Sequence, residues 1–212
     1  MTTQQLKDDH KKIIDILKKK ANWPTRHSQM ELCGKLLTHA RDVLLKDEWG
    51  DKKLSTSKKT VLKDLIRKSS ESADFRKTVD FVTPNALNLM RVNSQNEISF
   101  EEGLSHEHMM PCEAVFKKIL QTPNIDIFEF LKTTGFRALV SRVDASPSEN
   151  DKLDANGMKS NLPKNISHDY PEDFYVFARY EAAGVFSNLI PVNDRGVERM
   201  KKYLENRTKY NH

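Results

Sequence analysis

Cysteine is scarce: Cys33 and Cys112 are the only two in 212 residues. Two thiols with no pairing framework agree with a reducing compartment and are too few for a Cys-rich zinc site. No apolar run reaches the length of a membrane span, and the start, MTTQQLKDDHKK, lacks a signal-type apolar stretch. The expectation is a cytoplasmic protein with no membrane partner. No internal repeat and no low-complexity tract is found.

What the chain does have is charge. Charged residues make up 31% and hydrophobic residues 37%, the latter low but enough for a core at this length. The length fits one ordinary domain, or one domain with a helical extension. Residues 1–70 hold 17 Lys+Arg and 9 Asp+Glu, a net +8. Residues 71–212 hold 18 and 21, a net −3. A basic part joined to a near-neutral part points to a polyanion partner, nucleic acid first, with DNA ahead of RNA. The plainer alternative is a set of solvated lysine-rich helix faces.

Hydrophobic spacing predicts helices through the first eighty residues. Leu6, Ile13, Ile14 and Leu17 share one face of residues 3–21. Pro24 breaks the chain, Ser28 and Glu31 make a capping-box pattern, and a second helix runs over 28–48. A third covers 55–69, and a fourth covers 72–83 up to Pro84. The texture then changes. Residues 96–103 alternate as a short strand does, and 136–143 are rich in β-formers. Helices are expected at 111–120, 124–133, 148–157, 171–184 and 194–208. The fold class is therefore mainly α with a small α+β portion. The division expected is a basic helical region over 1–93 and an α+β region over 94–212, with one continuous domain as the alternative.

Within the second part, LSHEHMMPCEAVFKKIL (104–120) sets His106, Glu107 and His108 side by side ahead of Pro111. Imidazole titrates near neutrality and can take a proton from water, while a carboxylate supplies a hard oxygen ligand for an ion of the magnesium class. Together they suit metal-assisted phosphodiester hydrolysis. A zinc deaminase is excluded, because the His-Glu…Pro-Cys spacing is too short and no second cysteine follows Cys112. The plainer alternative is a solvated loop before a helix, with His106 facing solvent.

Five pieces in order, EHMMP, ALVSRV, SENDKL, GMKSNLP and ARYEAAGV, resemble a pattern in small bacterial and phage proteins related to HNH-type (ββα-metal) endonucleases. The resemblance spans about residues 100–186. It implies a ββα-metal-like segment with inserted helices, and a divalent metal, magnesium first, with manganese or zinc as alternatives. It implies His108 as general base, Glu107 and Glu149 as metal ligands, and Arg179 on a phosphate, where its planar fork grips two oxygens. Three departures stand out. His108 and Glu149 are 41 positions apart, the motif's central asparagine is unassigned between Asn124 and Asn150, and the last histidine of the motif is missing near 149, where a glutamate stands instead. Each residue also has a plainer role. Glu149 suits the first turn of any helix, and Arg179 can pack its stem and pair with a glutamate.

The resulting expectation is a metal-dependent nuclease whose basic helices hold nucleic acid through Lys18, Lys19, Lys20, Lys58, Lys59 and Lys63. Two alternatives compete. One is a nucleic-acid-binding regulator that does not cut; no tight Gly turn joins helix 28–48 to a recognition helix, so a helix-turn-helix is not supported. The other is an interaction module in which helices 3–21 and 28–48 form an αα-hairpin with an exposed apolar edge.

Overall fold

The run RALVS at 137–141 is buried at every position, and the main sheet is built on it. In the computed structural model, which describes residues 3–20, 23–46, 56–71, 78–163 and 172–210, this run is strand β5 (Arg137–Ser141). Its neighbours are β4 (Leu104–His108), antiparallel, and β1 (Phe81–Val82), parallel; β6 (Ile190–Pro191) pairs antiparallel with β1, giving the order β4-β5-β1-β6. A separate hairpin pairs β2 (Met90–Val92) with β3 (Ile98–Phe100).

Side chains alternate across a strand, so β5 feeds two cores. Ala138 and Val140 join Phe81, Leu153, Phe177 and Tyr180 on one face. Leu139 joins Val82 and, from helix α1 (Thr3–Lys20), Ile13 and Leu17 on the other. Burying one Phe or Leu side chain contributes about 1.5–3 kcal/mol relative to leaving it in water. Ile13 and Leu17 are four apart, one helical turn, which explains why a lysine-rich helix docks on one edge only.

A third core is helical. Helices α2 (Trp23–Lys46) and α3 (Thr56–Ser69) pack on α5 (Cys112–Gln121) and α6 (Ile127–Thr134). Leu37, Leu62 and Ile66 meet Val115, Phe116, Phe130 and Leu131 there. The remaining helices are α4 (Pro84–Leu87), α7 (Glu149–Asp154), α8 (Glu172–Ala182) and α9 (Asp194–Tyr210). The order β4, β5, α7 is a ββα succession with α5 and α6 inserted between its strands. The described chain is thus mainly α with a small α+β portion. Among the described residues no helix is long and apolar enough to cross a membrane.

Several local expectations are corrected. Pro24 sits in the first turn of α2, where a missing N–H costs nothing, so the helix starts there and Ser28 lies inside it. Of the helix expected over 72–83, residues 72–77 lie outside the described residues, and Phe81–Val82 is strand β1. Pro84 begins α4, with the Thr83 side chain accepting from Ala86 N as its cap. Helix α7 begins with a capping box of its own, Ser148 reciprocated by Asp151. The division between residues 93 and 94 falls inside the β2–β3 hairpin, and residues on both sides of it contribute to each of the three cores.

Candidate functional site

The His-Glu-His stretch is not a loop but edge strand β4, in register with β5 from Leu104↔Ser141 to His108↔Arg137. A cleft of about 550 Å³ opens along it. Its lining includes Ser105, His106, Glu107 and His108 from β4, Lys63 and Arg67 from α3, and Asn150 and Asp154 from α7. Arg142 follows β5, and Lys159 follows the short 3₁₀ turn Ala155–Gly157.

Alternation along β4 separates the side chains that the motif sets next to one another in sequence. Glu107 shares a face with Ser105, whose hydroxyl donates to its Oε1 at 2.7 Å. His106 and His108 point the other way, with Leu139 and Arg137 of β5. Arg137 is buried and ties the end of α3 to the sheet. Its Nε donates to Ser70 Oγ at 2.9 Å, and one terminal nitrogen donates to the Arg67 carbonyl and to Glu71 at 3.0 Å. That anchor builds the α3 wall of the cleft. His108 is half-buried, with Nδ1 3.5 Å from Ser70 Oγ, and its Nε2 is buried with no hydrogen-bond partner.

Arg179 of α8 is 2% exposed and fully engaged. Its Nε donates to the Leu153 carbonyl at 2.9 Å, and one terminal nitrogen donates to the His108 carbonyl at 3.3 Å. The other donates to both Glu107 Oε2, at 3.0 Å, and Asp154 Oδ1, at 3.2 Å. Arg179 therefore clamps β4, α7 and α8 together and has no fork left for a phosphate. Glu149 is held elsewhere. Its Oε2 accepts from Thr83 Oγ1 at 2.6 Å and Ser141 N at 2.9 Å, and its Oε1 accepts from Asn85 at 3.1 Å. It does not line the cleft. The structure thus brings Glu107 and Arg179 together, sets the His108 ring on the opposite face, and leaves Glu149 apart.

A divalent ion bridging two carboxylates would stand where the Arg179 nitrogen stands between Glu107 and Asp154. Among the described residues no group of three His, Cys, Asp or Glu side chains is arranged to hold a metal ion. The residues present therefore do not fit a resident metal, and the chemistry below is built on the chain's own groups. Cys112 also lines the cleft, but burial pushes its thiol up to about 11, which leaves it a poor nucleophile.

Of the six lysines expected on nucleic acid, Lys63 lines this cleft, where it donates to Glu113 at 2.8 Å. Lys59 lies one turn before it on α3, while Lys58 is exposed. Lys19 and Lys20 are exposed at the end of α1, and Lys18 pairs with Asp194 at a different cavity. Arg67, Arg142, Asp154 and Lys159 escaped the sequence reading. Arg67 carries the one usable signal, since it follows Lys59 and Lys63 at helical four-residue spacing. Asn150, rather than Asn124, is the cleft asparagine, and it is 8% exposed.

The two histidines are held neutral. Burial first, then the charges of Arg137 and Arg26, bring His106 down to about 3. Burial and then Arg137 hold His108 well below the ordinary imidazole range. His106 is thus half-buried and not solvent-facing as expected. In the unfolded chain both imidazoles take a proton near pH 6.5. Between that value and the lowered folded values the unfolded state binds more protons, so the stability contribution is complete above about pH 6.5 and is lost as pH falls below it. The thermal midpoint is expected to drop steadily from pH 7 to pH 5, a window above the carboxylates. A His106→Asn/His108→Asn double variant flattens that slope. An equal slope in the variant would mean that other groups take up the protons.

Comparison of the chain with protein-family models, with curated proteins and with solved structures gives no significant match.

Proposed function

We propose that the protein binds nucleic acid by its phosphate backbone, in the cleft beside β4. One observation carries this reading: four cations from three separate parts of the chain, Lys63, Arg67, Arg142 and Lys159, converge on a single cleft. Three of them rest in pairs with carboxylates. Lys63 meets Glu113 at 2.8 Å, Arg67 meets Asp64 at 2.6 Å, and Lys159 meets Asp154 at 3.5 Å. Surface pairs of this kind are worth about 0–1 kcal/mol, so a phosphate competes with them readily. The Asn150 amide supplies a neutral donor and acceptor for a sugar or base edge.

Gel retardation of labelled duplex and single strands tests this reading. Four phosphate contacts on duplex give a log–log salt slope of about −3.6, a loss of roughly a hundredfold in affinity between 50 and 200 mM salt. An Arg142→Ala/Lys159→Ala double variant removes two contacts and brings the slope to about −1.8. Retardation that is insensitive to salt, or unchanged in the variant, overturns the assignment. A second reading, cleavage, is favoured by the unpartnered His108 Nε2 at the cleft. Plasmid nicking that persists with chelator and vanishes in His108→Ala would establish it in place of simple binding.

A further inference from the structure

A second cavity, of about 670 Å³, opens where α1, α6 and α9 meet, and it shares no lining residue with the cleft beside β4. Its floor is a stack. The Arg195 guanidinium lies 3.7 Å from the Phe136 ring centre, and that of Arg199 lies 5.2 Å from the same ring. Arg195 is held in this pose from behind. One terminal nitrogen donates to Asp80 Oδ1 at 3.2 Å and to the Gly135 carbonyl, and the other donates to the Lys132 carbonyl at 2.6 Å. The orientation of its charge is therefore fixed before any ligand arrives, which lowers the cost of binding.

Three lysines stand around this floor, one from each helix: Lys18, Lys132 and Lys202. Each rests on a carboxylate that is itself at least half-exposed: Asp194 at 3.0 Å, Glu129 at 3.1 Å and Glu198 at 2.9 Å. Such partners hold a lysine weakly. Asp80, the buried carboxylate beneath, is already matched by Arg26 in a two-point pair at 3.0 and 3.1 Å. The lining thus holds six cations and four carboxylates, in a concavity sized for a small ligand.

We propose that this cavity is a second anion site, taking a ligand with two or more adjacent phosphates. One phosphate is drawn to the positive field of the Arg195 and Arg199 floor, which acts by charge and not through a free N–H fork, and the next reaches the lysines. A single phosphate engages only one of these two features, so it binds more weakly. Adjacent phosphates come from two sources, a nucleoside polyphosphate or a nucleic-acid strand.

Calorimetric titration of the full chain with pyrophosphate, orthophosphate and ATP tests the site, followed by competition with a twelve-residue single-stranded oligonucleotide. Pyrophosphate and ATP are expected to bind at least tenfold more tightly than orthophosphate. A Lys132→Ala/Lys202→Ala variant, which leaves the Arg26–Asp80–Arg195 network intact, weakens pyrophosphate at least tenfold. The cleft variant Arg142→Ala/Lys159→Ala leaves pyrophosphate binding unchanged, so failure here and failure of the cleft reading are separable. Displacement of pyrophosphate by the oligonucleotide assigns the site to a strand; binding of ATP without that displacement assigns it to a nucleotide. The proposal is overturned by pyrophosphate binding no better than orthophosphate, or by binding that is unmoved in the lysine variant.

Discussion

Replacing Arg179 by Gln is expected to cost about 3–5 kcal/mol of stability, the range for breaking a buried ion pair from one side. One nitrogen of this guanidinium neutralises two carboxylates, Glu107 at 3.0 Å and Asp154 at 3.2 Å. The rest of it satisfies the carbonyls of Leu153 and His108. A glutamine reaches at most part of that set and carries no charge. Two acids are then left facing each other with no cation between them. Against the 5–15 kcal/mol that holds an ordinary domain together, this is a large fraction, and the urea midpoint should fall accordingly. The variant also makes a second, more specific test. With the guanidinium gone, millimolar magnesium or manganese is expected to raise the thermal midpoint of Arg179→Gln while leaving the native protein unmoved. A loss below about 1 kcal/mol would mean that Arg179 is not the clamp. Equal stabilisation of the native protein by the cation would mean that Glu107 and Asp154 are open to a metal, contrary to the geometry.

The helices were legible because their cores are local. In α1, Ile13 and Leu17 repeat at one turn and are buried as that spacing predicts. In α7, a serine three residues before an acid makes a capping box, and both of its bonds are present. Strand β5 was visible for a similar reason, as a run of β-formers bounded by Gly135 and by the turn at Asp144. The short strands were not. Phe81–Val82 and Ile190–Pro191 are two residues each, too short to show any period. What makes them strands is a partner far away in sequence, Ala138 and Leu139 for the first. The capping-box pattern at Ser28 misled for the opposite reason. It is a valid local signal, but Pro24 provides an earlier start and the helix takes it.

The candidate site divides along the same line. The cluster at 106–108 was conspicuous, and the pairing of Arg179 with a glutamate was among the plainer roles considered for it. The separation of Glu107 from the His108 ring follows from strand alternation once β4 is known to run in register through His108. Convergence of the two groups was expected from a relaxed geometry at the strand's end, but the ladder with β5 continues through His108 and keeps them on opposite faces. Glu149 shows a different limit. A carboxylate in the first turn of a helix looks the same whether it faces a cleft or, as here, the Thr83 hydroxyl and the Ser141 amide. Asp80 was invisible altogether. It lies between Val79 and Phe81 in a stretch expected to be helical, and its partners Arg26 and Arg195 are 54 and 115 residues away.

Asp80→Asn is expected to be the most damaging single substitution in the described chain, at about 3–5 kcal/mol or more. Asp80 has no exposed surface, and both of its oxygens are filled. Oδ1 accepts from Arg26, Arg195 and Asn193, and Oδ2 accepts from Arg26 and from the Arg137 backbone N–H at 2.9 Å. An asparagine turns an NH₂ group toward at least two of these donors and leaves two guanidiniums without a counter-charge. Relaxation is blocked on one side, because the start of α9 lies against this spot: a Cβ on Gly196 would come within 2.6 Å of the Asp80 carbonyl. Dependence on pH identifies the cause. Burial raises the carboxyl of Asp80, but the charges of Arg26 and then Arg195 outweigh it and hold the group well below the usual carboxylate range. A carboxylate lowered in this way contributes its full stability above its unfolded value, near 3.9, and loses it as pH falls toward the folded value. The deficit of Asp80→Asn should therefore be constant from pH 7 to about pH 5 and shrink below about pH 4, where the native protein surrenders the same interaction. The histidine slope occupies the window above, so urea unfolding at pH 7, 5 and 3.5 separates the two. A deficit that stays the same at pH 3.5 would show that shape, not charge, is what Asp80 supplies.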